Sequence, residues 1–259
     1  MTILDTIVEH KRIEVLKRKR KFSVQDFEGM EMYGRIPLKI NPEAYKEKPG
    51  IIAEFKRRSP SKGIINADVD PVNISKAYSE AGVAAMSILT DRDFFGGSFQ
   101  DLSRVRKKNP GLHLLRKDFI IDPYQVHEAK AYGADIILLI AAILKPSEIS
   151  DLSLLAKELG LQVLFEVHNR KELDTYVEGI DLVGVNNRDL KNFTVDINNS
   201  LALIGHFPDG VIPVSESGIS GHSEIKLLFE HGFKLFLIGE SFMKDADPGE
   251  ACKTFIQQI

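Results

Sequence analysis

The chain has 259 residues and a net charge of −3, from 34 Lys and Arg against 37 Asp and Glu, and it contains one cysteine, Cys252. One cysteine excludes an intramolecular disulfide, and the charge balance lacks the basic footprint of a nucleic-acid-binding protein. No apolar run approaches the ~20 residues that a transmembrane helix needs. These features favour a cytoplasmic globular protein with neither a nucleic-acid nor a membrane partner.

The first 50 residues differ in pattern from the rest of the chain. Apolar residues recur at helical spacing from Ile3 to Val15, and the basic run Lys17–Lys21 follows them. This pattern predicts an amphipathic helix with cations at its C-terminal end, where the helix dipole favours them; a basic patch near an anionic ligand is the alternative. Gly29–Gly50 is polar and irregular. We therefore expect one domain over residues 1–259, with 1–50 as an N-terminal helical extension and connector.

From residue 51 onward, short apolar runs alternate with longer amphipathic segments. Continuously apolar runs are typical of strands that are buried on both faces, as in a parallel sheet. Helix starts are expected at Pro71, Pro123 and Pro146, and helix ends at Gly82, Gly133, Gly160 and Gly232. The predicted strands are Ile51–Phe55, Ala84–Leu89, Leu112–Arg116, Asp135–Ile140, Gln162–Val167, Leu182–Asn186, Ile212–Ser215 and Leu235–Gly239.

Eight strands that alternate with helices over about 200 residues are typical of a (β/α)8 barrel. The alternative is an open doubly wound sheet, which usually carries a glycine-rich phosphate fingerprint after its first strand. Here the first strand is followed by Lys56–Pro60, which contains neither G-x-G-x-x-G nor a Walker sequence. We therefore predict an α/β fold, a (β/α)8 TIM barrel with an N-terminal helical extension.

Polar side chains stand at the carboxyl ends of several predicted strands, where barrel enzymes hold their chemistry. Glu54 and Glu166 lie inside apolar runs, where a carboxylate is desolvated unless a cation such as Lys56 or Lys117 is close. Structural ion pairs at the barrel rim are the alternative interpretation. The complete set comes from strands one, three, five, six and seven and comprises Glu54, Lys56, Lys117, Glu166, Asn186, Arg188, Ser215, Glu216 and Ser217.

Small residues follow the last two predicted strands. Ser217 and Gly218 come after strand seven, and Gly239 and Ser241 come after strand eight. In many barrels the loops at these two positions bind phosphate through backbone N–H groups and a helix N-terminus. Ordinary turn glycines are the alternative, but the paired positions favour a phosphate site and hence a small phosphorylated substrate.

Other candidate residues are interpreted structurally. The histidines show no metal-ligand spacing, and a single cysteine cannot build a Cys/His cluster, so no metal site is expected. His168, which follows Glu166 closely, is interpreted as a loop or helix-start residue, and Cys252 as a packing residue. The aromatic pair Phe94-Phe95 after strand two belongs either to a mobile lid or to the core.

Eight segments together resemble the indole-3-glycerol phosphate synthase family. They occur in the family's order over almost the whole chain, and a helical extension before the first strand is also typical of that family. Phe55 and Arg58 depart from the usual Ile and Ala without removing an acid, a base or a phosphate contact. The segments are EFKRRSPSKG (Glu54–Gly63), LTDRDFFGGS (Leu89–Ser98), LLRKDFIIDPYQ (Leu114–Gln125), ADIILLIAAIL (Ala134–Leu144), LFEVHN (Leu164–Asn169), GVNNRDL (Gly184–Leu190), VSESGI (Val214–Ile219) and LIGESFM (Leu237–Met243).

The resemblance implies ring closure, decarboxylation and dehydration of 1-(2-carboxyphenylamino)-1-deoxyribulose 5-phosphate to indole-3-glycerol phosphate, without an organic cofactor or a metal. It implies Lys117 as the general acid, with a pKa that neighbouring cations and desolvation lower toward working pH. It also implies Glu166 as the preferred base, with Glu54, Lys56 and Asn186 completing the catalytic set. Which of Lys56, Glu54 and Glu166 serves each proton transfer is left open.

The same resemblance implies the binding residues and a monomeric state. Substrate binding is expected from Ser59, Phe94, Phe119, Leu138, Arg188, Leu190 and Glu216. Phosphate binding is expected from Lys56, Ser217, Gly218, Gly239 and Ser241.

Two other functions are compatible with a phosphate-binding barrel. A phosphoribosylanthranilate isomerase-like barrel would use a cysteine base at the end of strand one, whereas the only cysteine here is Cys252. A non-catalytic barrel that binds a phosphorylated ligand would keep the glycine signals but would not need the lysine and glutamate set.

Overall fold

The computed structural model describes residues 2–189 and 193–259. In this part of the chain, eight parallel strands form a closed barrel, in which strand one pairs with both strand two and strand eight. The predicted TIM barrel is therefore confirmed. Numbered from one to eight, the barrel strands are Gly50–Phe55, Ala85–Leu89, Leu114–Lys117, Ile136–Ile140, Gln162–Val167, Leu182–Asn186, Ile212–Glu216 and Leu235–Ile238.

Helices surround the barrel, and two of them precede the first strand. The predicted helix starts at Pro71, Pro123 and Pro146 are confirmed, and the four glycines expected at helix ends all have positive φ. The helices are α1 (Ile3–Lys19), α2 (Val24–Glu28), α3 (Pro71–Ala81), α4 (Phe99–Lys108), α5 (Pro123–Ala131), α6 (Pro146–Glu158), α7 (Arg170–Leu173), α8 (Asn198–Ile204), α9 (His222–Glu230), α10 (Glu240–Met243) and α11 (Pro248–Ile256).

Strands five and six have the predicted boundaries, and the boundaries of the other six strands differ from the predicted ones by one or two residues. Strand three begins at Leu114 rather than Leu112, because Leu112 donates its N–H to Asn109 in a turn. The same strand continues to Lys117, and strand seven continues to Glu216. Both side chains are therefore held by barrel strands rather than by loops.

The barrel interior is built from alternate strand residues, because successive side chains of a strand point to opposite faces. Ile52, Leu115, Leu164 and Val214 belong to the inner apolar cluster, whereas their neighbours along each strand pack outward against the helices. Ile40 of the N-terminal connector packs against the same inner cluster. Two positions further along strands one, three, five and seven, the inward residue is charged: Glu54, Lys117, Glu166 and Glu216.

A buried lysine attaches α1 to the barrel. Lys11 is completely buried, and its Nζ lies 2.7 Å from Glu14, 2.8 Å from Asp91 and 2.9 Å from Asp118. Asp91 follows strand two and Asp118 follows strand three, so one ammonium group joins the helix to two neighbouring strands.

The basic end of α1 is also ion-paired with the barrel. Arg18 contacts Glu14 within the helix and Glu128 of α5, and Lys19 Nζ lies 2.7 Å from Asp122 at the start of α5. These contacts favour the helix-end interpretation of the basic run over a patch for an anionic ligand.

We predict that Lys11→Met lowers the free energy of unfolding by about 3 kcal/mol, because buried carboxylates lose their shared cation. Urea denaturation measures the change. Lys17→Met is the matched control, because Lys17 is exposed on the same helix, and it should change the value by less than about 0.5 kcal/mol. Equal effects of the two substitutions would contradict the role given to Lys11.

Candidate active site

The carboxyl ends of the strands surround a cavity of about 360 Å³. Charged side chains from strands one, three, five and seven line its inner end. Three apolar residues of α1, namely Ile3, Leu4 and Ile7, line it as well. The N-terminal extension therefore contributes directly to the wall of the cavity.

Lys117 lies between two buried carboxylates. Its Nζ is 2.8 Å from Glu166 Oε2 and 3.0 Å from Glu216 Oε2. The side chains of Glu166 and Glu216 are only 4% and 2% exposed, so water cannot replace this counter-charge. Asn186 Nδ2 donates to Glu166 Oε1 at 3.2 Å, and Asn186 Oδ1 accepts the backbone N–H of Arg188. This second bond fixes the orientation of the amide.

The pKa of Lys117 is shifted in the opposite direction to the one expected from the sequence. Burial acts to lower it, but the carboxylates of Glu166, Glu216 and Glu54 outweigh burial and raise the pKa well above its usual range. Lys56, one of the cations of the expected cationic site, is itself paired with Glu54 at 2.7 Å. Lys117 therefore holds its proton firmly in this arrangement.

The two carboxylates beside Lys117 are not equivalent. Burial raises the pKa of Glu216 to about 7; Lys117 opposes this shift and the charge of Glu166 adds to it. Burial also acts to raise the pKa of Glu166, but Lys117 and His168 lower it to about 2. Glu166 is therefore the ionised partner, while Glu216 titrates near neutrality.

A glycine makes the position of Glu216 possible. Glu216 Oε1 is buried and has no hydrogen-bond partner within residues 2–189 and 193–259. It lies where a Cβ at Gly184 would collide with it. Strand six therefore needs glycine at this point, which is directly opposite Glu166 in the sheet.

Backbone groups after strands seven and eight form a second polar region of the cavity. Ser217 and Gly218 have φ values of 65° and 77°, and both line the cavity. Gly239 precedes α10 as its N-cap without a side-chain cap, which leaves the first N–H groups of this helix available to an anion. A Cβ at Gly239 would lie 2.6 Å from Glu54 Oε1.

Asn187 holds the strained backbone of Ser217. Its Nδ2 donates to the Ser217 carbonyl oxygen at 3.1 Å and to Ser215 Oγ at 3.0 Å. Its Oδ1 accepts from the N–H and the hydroxyl of Ser200. A left-handed conformation costs a non-glycine residue about 1–3 kcal/mol, so these buried bonds help to keep Ser217 in place. Asn187 was not among the residues predicted from the sequence, where only Asn186 of the pair was singled out.

The structure brings most of the residues predicted from the sequence to this cavity. Phe94 does not line it: its ring packs edge-on against His10 of α1 with the centroids 5.5 Å apart, and Phe95 lines the cavity instead. Leu190 lies outside the described residues. The predicted residues that line the cavity are Glu54, Lys56, Ser59, Lys117, Phe119, Leu138, Glu166, Asn186, Arg188, Glu216, Ser217, Gly218, Gly239 and Ser241.

The cavity also contains residues that were not predicted from the sequence. The apolar stripe of α1 was visible in the sequence, but nothing there showed which surface it covers. Phe193 and Val195, which follow strand six, were not singled out either, although both line the cavity.

The sequence pattern of the indole-3-glycerol phosphate synthase family matches residues 4–255 of this chain. Similar curated proteins bear the name of the same enzyme. That of Bacteroides thetaiotaomicron is 44% identical over 259 residues, which cover 99% of this chain and 98% of that protein. That of Thermoanaerobacter pseudethanolicus is 42% identical over 257 residues, with coverage of 99% and 98%.

Solved structures with a similar fold are much less similar in sequence. A 3-hexulose-6-phosphate synthase has a TM-score of 0.66 at 15% identity, covering 81% of this chain and 99% of that chain. Orotidine 5'-phosphate decarboxylase from Pyrococcus horikoshii has a TM-score of 0.60 at 12% identity, with coverage of 81% and 98%. At these identities the likeness shows the barrel fold alone.

We predict that Glu216→Gln stabilises the chain at alkaline pH relative to acidic pH. A carboxyl group whose pKa is raised by folding binds more protons in the folded state, so it destabilises the fold as pH rises above its unfolded value toward about 7. Glutamine cannot ionise. At each pH we take the difference between the free energy of unfolding of the variant and that of the parent. This difference should be about 2 kcal/mol more positive at pH 8 than at pH 5.

Urea denaturation at the two pH values measures this difference. Glu230→Gln is the control, because Glu230 is exposed at the end of α9, and its difference should not change between the two pH values. If the difference for Glu216→Gln is also the same at the two pH values, Glu216 does not have a raised pKa in the folded chain.

Proposed function

The chain belongs to the indole-3-glycerol phosphate synthase family, and from that premise we propose that Lys117 and Glu166 are the acid and the base of its reaction. The enzyme is a carboxy-lyase of tryptophan biosynthesis. It converts 1-(2-carboxyphenylamino)-1-deoxyribulose 5-phosphate to indole-3-glycerol phosphate with loss of CO2 and water. The observation that supports the proposal is the position of Lys117 Nζ between Glu166 and Glu216 at the inner end of the cavity.

Lys117 is the general acid of the ring closure. The ring carbon that bears the carboxylate attacks the ribulose carbonyl, and negative charge develops on the carbonyl oxygen as the new bond forms. An ammonium group directed at this oxygen stabilises the charge and supplies the proton. When Lys117 turns from its two carboxylates to the substrate, it loses the charges that raise its pKa, so proton transfer becomes easier at the moment it is needed.

Glu166 is the base of the later dehydration. It is the carboxylate that remains ionised, because Lys117, His168 and Asn186 all favour its charged form. Positive charge on the anilino nitrogen during ring closure is stabilised by Glu166 or by Glu54. Lys56, which is paired with Glu54, either donates the proton to the departing hydroxyl or only holds an anionic group of the substrate.

Substrate binding uses the two ends of the cavity. The phosphate binds to the backbone at Ser217, Gly218, Gly239 and Ser241, with Lys56 as its cation. Phe119 and Leu138, joined by Phe95, hold the aromatic ring between apolar walls. Arg188 and Ser59 contact the remaining polar groups, since the carboxylate of the substrate also needs a cation or a donor.

We also propose that the chain works as a single-domain monomer in the cytoplasm without a nucleic-acid or membrane partner. The net charge of −3 argues against a nucleic-acid partner. No helix in the described part of the chain is long and apolar enough to cross a membrane.

The two alternatives have less support. An isomerase-like role would require the only cysteine as base, but Cys252 is completely buried in α11 and is not part of the cavity wall. A non-catalytic binding barrel would not require a lysine between two buried carboxylates, which is costly to maintain.

We predict that Lys117→Met and Glu166→Gln each lower kcat by about a thousandfold, because each removes a proton-transfer group. The substrate is incubated with purified protein and EDTA, and indole fluorescence is followed. Both variants should still bind the product. Lys76→Met is the control, because Lys76 is exposed on the outer helix α3, and it should retain full turnover.

Absence of a fluorescence rise with the unchanged, folded chain would exclude the synthase reaction for this protein. Full turnover by either variant would exclude the role given to that residue alone.

We predict that Asn187→Ala raises KM about tenfold with little change in kcat, because Ser217 loses the bonds that hold its backbone in the phosphate loop. Inorganic phosphate should become a correspondingly weaker competitive inhibitor. Asn198→Ala is the control, since Asn198 is exposed on α8 and bonds only with Asp196 among the contacts described. A loss confined to kcat would argue against this role.

A further inference from the structure

His168 lies between two carboxylates just beyond strand five. Its Nδ1 is 3.1 Å from Glu172 Oε2, and its Nε2 is 3.6 Å from Glu166 Oε1. The backbone N–H of His168 donates to Glu172 Oε2 at 2.7 Å, and Asn199 Nδ2 donates to the His168 carbonyl oxygen at 3.0 Å. Both the ring and the backbone of His168 are therefore held in place.

The second ring nitrogen, Nε2, faces the carboxylate of Glu166. Nε2 is buried and has no hydrogen-bond partner among the described residues. A buried ring nitrogen that stays unpaired is costly, whereas a protonated nitrogen beside a carboxylate stabilises both groups. The geometry therefore favours a proton on Nε2.

Three carboxylates from three elements act on the ring, and the ammonium group of Lys117 lies beyond one of them, on Glu166 Oε2. Glu166 lies on strand five, Glu172 on α7 and Glu216 on strand seven. Burial acts to lower the pKa of His168, but its hydrogen bond to Glu172 and the charges of all three carboxylates raise the pKa above its ordinary value.

We propose that His168 is a positioning residue for the base: clamped by Glu172, it presents a protonated Nε2 to Glu166 Oε1 and keeps this carboxylate ionised while Lys117 is engaged with the substrate. The inference rests on the proposed role of Glu166. His168 Nε2 lies beside Oε1, the oxygen that Lys117 does not contact, so His168 can stay at Glu166 when Lys117 moves to the substrate.

The need for a second cation follows from the first chemical step. When Lys117 turns to the carbonyl oxygen, Glu166 Oε2 loses its ion pair. Asn186 remains on Oε1 but carries no charge. In the part of the chain that the structure describes, His168 is then the remaining cation within 4 Å of Glu166. Without it, burial would favour a protonated Glu166, which cannot act as a base.

The test compares the dependence of kcat on pH in the parent, His168→Gln and His168→Lys. Loss of the cation raises the pKa of Glu166, so the acid limb of the profile in His168→Gln should move to higher pH by about one unit. At a given pH on the acid limb kcat should therefore fall about tenfold, while KM stays unchanged. His168→Lys keeps a positive charge and should return the acid limb toward that of the parent.

His206→Gln is the matched control, because His206 is exposed beyond α8, and its profile should superimpose on that of the parent. An unmoved acid limb in His168→Gln would overturn the proposal. A loss of kcat by the same factor at every pH would overturn it too, because that pattern indicates a purely structural effect.

A second measurement needs no turnover. Coupling between two titrating groups is reciprocal, so Glu166→Gln should lower the pKa of His168, followed by NMR of the ring nitrogens, by about one unit. An unchanged His168 titration would overturn the proposal whether or not the chain turns over substrate. Failure of the synthase assignment would appear differently, as absence of indole product from the unchanged chain.

Discussion

Glu166 and Glu216 are buried on strands five and seven, and the ammonium group of Lys117 on strand three lies within 3.0 Å of both. Side chains from strands that are not neighbours meet in this way only near the axis of a closed barrel. A buried carboxylate without its cation costs several kcal/mol. The two glutamates can therefore stay ionised only where the closed barrel brings Lys117 to them, and Lys117 in turn stabilises the closed arrangement. Gly184, on the strand between the two glutamates, completes this constraint because it leaves room for Glu216.

The barrel itself could be predicted because its signals are local. Each buried strand produces an apolar run, and each helix start or end produces a proline, a capping residue or a glycine. The period of two along a strand also carries part of the site, because it places Glu54 on the inner face with Ile52, and Glu166 with Leu164. The sequence does not contain the distances across the barrel. The sequence placed Lys117 near both carboxylates and cations but could not show which of them lie closest, so the expected downward shift of its pKa was wrong.

The other differences between the predicted and the observed site arise where the orientation of one residue, or a contact with a distant part of the chain, determines which residues line the cavity. The side chain of Asp91 accepts the N–H of Phe94, and its carbonyl oxygen accepts the N–H of Gly97. In the turn that these bonds form, Phe95 rather than Phe94 lines the cavity. The position of α1 depends on Lys11, whose partners Asp91 and Asp118 are far along the chain. Helical periodicity shows that α1 has an apolar face but cannot show where that face packs.

Charge balance explains why the two carboxylates beside Lys117 behave differently. An anionic substrate in the cavity adds negative charge, which favours protonation of both glutamates. Glu216 has an unpaired buried oxygen and a pKa near 7, so it takes up a proton most readily. Glu166 has Asn186 and His168 on its second oxygen, so it keeps its charge. The same lysine can therefore leave both carboxylates while only one of them remains a base, and the charged and hydrogen-bonding groups next to each oxygen determine which one it is.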